Sequence, residues 1–142
     1  MRSSSTRLVL IVALVGFAIT TSPETCRADW ILLGGTETGD LFYDREDIQH
    51  SASGIVTVWT KMVYNGKGVR EMVAQHGPAF DALDHSVHLS ELDCVGKLAL
   101  SLSTVYFAKG GRVLKTEEST NQWEFIPPGS NRDALYQKVC SK

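Results

Sequence analysis

The chain spells three cysteines, and the fate of the first decides what the other two can build. Cys26 follows MRSSSTR, which carries Arg2 and Arg7, and the uncharged run LVLIVALVGFAIT. A basic start before an apolar run of about 13 residues is the pattern of a secretory signal peptide. The run is short for a bilayer, which a helix crosses with roughly 20 apolar residues. Cys26-Arg27-Ala28 sets small residues one and three positions before a scissile bond, so residues 1–28 are expected to leave and Asp29 to become the first residue. Acylation of Cys26 is the competing reading, but Pro23, Glu24 and Thr25 stand where small and aliphatic residues would be wanted. Without Cys26, the chain keeps Cys94 and Cys140. An even pair in an oxidising compartment reads as one disulfide, the alternative being two buried free thiols. Cys140 lies third from the end, in ALYQKVCSK, so the bond would tie the C-terminal segment to the body. A loop of that length is worth about 4 kcal/mol of chain entropy.

Residues 29–142 are enough for one hydrophobic core and too few for two. The signal segment carries Arg2, Arg7 and Arg27 against Glu24, so its loss moves the formal charge from −2 to −4. A mildly acidic chain without basic clusters is not built for nucleic acid, whose phosphates demand clustered Lys and Arg.

Most of the text from Trp30 to Glu118 reads as strand. WILLGGT and LFYDREDI flank the turn-rich ETGD and suggest a hairpin. IVTVWTKMVY is dense in β-branched and aromatic residues, with Val56, Val58, Thr60, Met62 and Tyr64 on one face and Ile55, Thr57, Trp59, Lys61 and Val63 on the other. GKGVREMVAQHGPAF interrupts: spacings of three and four and a Gly77-Pro78 stop predict a short helix from about Lys67 to Gln75, the alternative being a mobile excursion. HSVHLSELDC and GKLALSLSTVYFA resume the strands, the latter with Leu98, Leu100, Leu102, Thr104 and Tyr106 along one face. KGGR is a hairpin turn and VLKTEES the returning strand. After Pro127-Pro128-Gly129, Ser130 or Asn131 can cap a last helix with Asp133 in its first turn and Ala134, Leu135, Val139 and Cys140 as its buried stripe. Two to three helical turns are marginal alone in water, so this helix needs a packing surface and a clip.

Catalytic chemistry finds little purchase. His85 and His88, with Asp84, Glu91 and Asp93 nearby, are the one cluster with metal-ligand residue types. In an extended segment the two histidines fall on opposite faces, where they cannot share an ion that needs three or four converging ligands. No serine stands in a nucleophile elbow, and GTETG and GKG are too sparse to cradle phosphate. The adjacent carboxylates Glu46-Asp47 and Glu117-Glu118 would point to opposite faces of a strand. No catalytic residue, cofactor or metal is therefore expected, and the residues identify no small-molecule substrate. Trp59 and Tyr106 are expected beneath the terminal helix, and Phe107, of the other parity, is expected exposed or at a dimer contact.

The early Trp30 strand, FYDREDI, VTVW, the ELDC strand end, YFAKGGRVLK, the late Trp123 with IPPGS, and the terminal ALYQKVC together resemble the bacterial surface-adhesin protein E-like family. The likeness spans nearly all of 29–142. It implies an α+β fold, an antiparallel sheet of about six strands with a C-terminal helix held to one sheet face by Cys94 and Cys140. It also implies a secreted, non-enzymatic, adhesin-like module of a bacterial cell envelope, located in the periplasm, at the outer membrane surface or outside the cell. Extracellular or envelope proteins are the partners this suggests, and an unpaired edge or face of the sheet invites a homodimer. The rival expectation is a periplasmic structural or envelope-stress accessory protein with no host ligand.

Overall fold

A computed structural model describes residues 28–141. The expected signal segment 1–28, with Cys26, lies outside the described residues except for Ala28. The rest is an antiparallel sheet carrying two helices. β1 (Trp30–Thr36) and β2 (Gly39–Asp44) form the expected hairpin, but β2 stops at Asp44 rather than running through DREDI. Asp44 is buried there, accepting hydrogen bonds from the Asp29 and Glu46 amides that bend the chain away. A two-residue strand β3 (Gln49–His50) leads into β4 (Ile55–Tyr64). Helix α1 (Gly66–His76) and a 3-10 turn (Pro78–Ala82) follow, then β5 (Leu83–Asp93), β6 (Leu98–Ala108), β7 (Val113–Glu118), the short β8 (Glu124–Phe125) and helix α2 (Asn131–Val139). The main sheet runs β1-β2-β4-β5-β6-β7, with β3 beside β4 and β8 beside β6.

Both helices lie on one face of this sheet. Asn65 caps α1 by accepting from the Lys67 and Gly68 amides, so GKGVREMVAQH is an ordered helix rather than an excursion. Gly68 lets it close on β1–β2: a Cβ there would stand 2.2 Å from the Thr38 carbonyl oxygen. Under α1 and the 3-10 turn sits one cluster, Phe80, Leu83 and Tyr106, with Tyr64, Val69, Met72 and Val73 against it. Ser130 caps α2 by accepting from the Asp133 amide at 3.1 Å. Beneath α2 a second cluster gathers Val56, Val58, Leu92, Ala99, Ile126, Leu135 and Val139. Ala134, expected in the buried stripe, is exposed, because Leu135 and Val139, four apart, already fill the narrow contact.

Cys94, just past β5, and Cys140, at the end of α2, are joined, with Cα atoms 5.4 Å apart across 46 positions of sequence. The Tyr136 hydroxyl donates to the Cys94 carbonyl at 2.8 Å. The helix is therefore tied at both the sulfur and its penultimate turn.

One register detail changes the faces. Between Leu89 and Ser90 the β5–β6 pairing shifts by a residue: Leu89 faces Ser103 and Ser90 faces Ser101. Leu102 is left as the extra residue of a β-bulge, and a bulge reverses side-chain parity beyond it. Leu98 and Leu100 are consequently on the face opposite Thr104 and Tyr106, not beside them as simple alternation predicts.

Candidate functional site

The two faces of the sheet offer two different surfaces. On the face away from the helices, register aligns Phe42, Lys61, Val87 and Val105 in one row across four strands, with Trp59, Leu89 and Ser103 in the next. Leu32 continues the first row on β1 and is 56 % exposed. His85 stacks on Phe107 there, ring centroids 4.9 Å apart, while its Nδ1 meets Asp84 at 2.8 Å. The Lys61 ammonium lies 5.8 Å from the Trp30 ring. Antiparallel sheets with one wet face ordinarily turn polar residues to it. Here no helix among the described residues covers a face on which Leu32, Phe42, Trp59, Val87, Leu89 and Val105 stand among Lys61, Glu91 and Ser103.

The helix-bearing face is the polar one along its middle. β5 turns Ser86, His88 and Ser90 inward, between the two apolar clusters, and β4 and β6 add Thr60, Ser101 and Thr104. Tyr64 Oη, Ser86 Oγ, His88 and Thr104 form a chain: Tyr64 to Ser86 at 3.0 Å, Ser86 to His88 Nε2 at 2.8 Å, and His88 Nδ1 to Thr104 at 3.0 Å. Burial pushes the His88 pKa down to about 4, with Glu117 opposing and Arg132 assisting, so the ring is neutral. Burial likewise raises Tyr64 and Tyr106, the latter also because the Glu117 carboxylate sits by its hydroxyl. Glu117 itself is lowered, first by its hydrogen bond from Lys115.

Beside this chain opens a cleft of about 360 Å³, between the α1 side and the first turn of α2. Leu41, Met62, Leu92 and Leu135 wall it, Thr60, Ser90 and Ser101 floor it, and Arg132 stands at its rim.

The structure thus sorts the residues that sequence reasoning singled out. His85 and His88 occupy opposite faces, and no group of three or more metal-ligating side chains converges among the described residues. Glu46 and Asp47 lie in the bend after β2, not on a strand. Glu117 pairs inward with Lys115 and Tyr106 while Glu118 is exposed. Phe107 is on the uncovered face. Trp59 and Tyr106, expected beneath the terminal helix, are not: Trp59 is on the far side of the sheet from α2, and Tyr106 packs with Phe80 under the 3-10 turn. Sequence reasoning missed the hydroxyl floor. Its signal was present in HSVHLS, where small polar residues alternate with Val87 and Leu89, but alternation alone does not say which set faces the helices.

The family model described as Surface-adhesin protein E matches residues 30–141. Crystal form II of Haemophilus influenzae protein E is similar in fold, with a TM-score of 0.53 and 14 % identity over 70 % of this chain and 79 % of that one. Protein E from non-typeable Haemophilus influenzae gives a TM-score of 0.49 and 14 % identity over 83 % and 79 %. No curated protein matches the sequence.

Proposed function

Because the chain belongs to the surface-adhesin protein E family, we propose that it is an exported, non-enzymatic binding module of a bacterial cell envelope. In this reading residues 1–28 are removed, residues 29–142 form one domain, and extracellular or envelope proteins are its partners. The apolar sheet face that no helix covers carries the proposal: Leu32 is exposed on it and Phe42, Trp59, Val87, Leu89 and Val105 are half-buried, and apolar surface left open to solvent in one contiguous area marks interaction sites. Its first occupant is a second copy of the chain.

Self-association is supported by size and by charge. Strands spaced about 4.8 Å and rising about 3.3 Å per residue make the face roughly 30 Å on a side, near the ~800 Å² per partner of a standard interface. Lys61 on β4 and Glu91 on β5 both point to this face, Lys61 opposite Val87 and Glu91 opposite Thr57. A two-fold axis passing between them in the plane of contact sets each against its opposite in the other copy.

Light scattering of the processed protein tests the dimer: a concentration-dependent dimer is expected, and a strict monomer at high concentration sinks it. Labelling intact cells with a membrane-impermeant reagent tests the adhesin reading. Modification is expected, and protein protected until the envelope is opened would favour the periplasmic accessory role instead.

A further inference from the structure

The helix-bearing face contains hydroxyls that lead nowhere within the protein. Thr60 is only 7 % exposed, yet its hydroxyl makes no hydrogen bond among the described residues, and it lines the cleft. Ser90 and Ser101, paired across β5–β6, line the same floor with hydroxyls equally without a protein partner. None of the three is sealed from solvent, Ser90 and Ser101 being half-buried, so each hydroxyl is open to a partner that enters the cleft. Next door, Ser86, His88 and Thr104 satisfy one another, so the floor is held in place while these three hydroxyls stay free.

The surroundings say what would use them. Leu41, Met62, Leu92 and Leu135 present aliphatic walls, and about 360 Å³ falls at the small end of ligand pockets, which run from roughly 300 to 1,000 Å³. The nearby charges are already matched: Arg132 at the rim pairs with Glu124, and Lys67 with Glu37 beside Thr38. Neither sign is left over to hold an ion.

We propose that this cleft is a binding site for a small, neutral, amphipathic organic molecule. Its apolar body lies against Leu41, Met62, Leu92 and Leu135, and one hydrogen-bonding group meets Thr60, Ser90 and Ser101. The site is on the opposite side of the sheet from the proposed dimer contact, so either can fail without the other.

The processed protein is titrated with N-phenyl-1-naphthylamine, a neutral diaryl amine with one N–H, following its fluorescence. Saturable one-to-one binding is expected, with NMR shifts concentrated at the Thr60, Ser90 and Ser101 amides and the His88 ring. Ser90→Phe, which fills the cleft, should weaken binding more than tenfold. Thr60→Val keeps shape and fold while deleting the hydroxyl, and should weaken it about fivefold. The proposal is overturned by absence of saturation, by shifts confined to Trp59, Leu89, Val105 and Phe107 on the other face, or by undiminished binding in both variants. Tighter binding of the anionic 1-anilinonaphthalene-8-sulfonate in the cleft would overturn the neutral class.

Discussion

Val58 and Trp59 are neighbours in β4, and they live in different solvents. Val58 is fully buried under α2, whereas Trp59, one residue on, faces the side that no helix covers. The same division runs through β5, where Val87 and Leu89 look outward while Ser86, His88 and Ser90 look toward the helices. In a one-sided sheet the apolar parity should be the covered one. The inversion in β5 teaches that neither face is finished in the isolated chain: the outer face has apolar area without a cover, and the inner face has hydroxyls without partners.

The largest effect should come from unfastening the inner face. Cys140→Ser opens the 46-position loop and is expected to cost up to about 4 kcal/mol, read by urea unfolding. Amides of α2 should lose exchange protection before those of β4 and β5. Equal loss everywhere would mean that α2 is not a separately clipped unit.

Acid should come next, again through the inner face. In the unfolded chain His88 takes up a proton near 6.5, but in the folded one only at about 4. Between those values the unfolded state binds more protons, so this contribution is complete above about pH 6.5 and is lost as pH falls toward 4. The loss amounts to about 3 kcal/mol. Unfolding free energies measured from pH 7 to 4 should show that slope in the wild type and a flatter one in His88→Gln, while a parallel pair of curves would assign the acid sensitivity elsewhere.

How much of this was legible before folding depends on the range of the interaction. IVTVWTKMVY reads as a strand and is one over Ile55–Tyr64, because β-branched and aromatic density is a local property. A cap at Ser130 or Asn131, which falls to Ser130, and KGGR as turn are likewise set by neighbours within four residues, and α1 differs from its expected span by one residue at each end. The disulfide was legible from the cysteine count together with the expectation of export, and Cys94 and Cys140 are joined. What strict alternation could not carry is long-range: the bulge at Leu102 exists only because β5 and β6 pair with a slip, and it sends Leu98 and Leu100 to the other face. The place of Trp59 failed for a related reason, since a strand with two apolar faces does not declare which one the helix will choose. The cleft required both answers at once.

The Val58–Trp59 contrast can be measured directly. Val58→Ala should destabilise the fold by roughly 2 to 3 kcal/mol at every protein concentration, since it opens a cavity in a packed cluster. Trp59→Ala should cost the monomer only about 1 kcal/mol. It should nevertheless raise the dimer dissociation constant about thirtyfold or more, as loss of a central aromatic anchor does. Sedimentation across a concentration series separates the two, and if Trp59→Ala leaves association untouched the outer face is not the contact.

The smallest effect is the most specific. If the two-fold contact brings Lys61 of one copy against Glu91 of the other, Lys61→Glu confronts two carboxylates at each of two symmetric places, and association should weaken about tenfold. Glu91→Lys should do the same with two ammonium groups. Combining them restores opposite charges at both places, so the double variant should recover most of the lost affinity even though each change alone is harmful. A merely structural role for either side chain would give additive losses instead. Because the charges are only partly buried, the single-variant defects should also shrink as salt is raised. An electrostatic mismatch would show both recovery and salt relief, whereas damage to packing on the outer face would show neither.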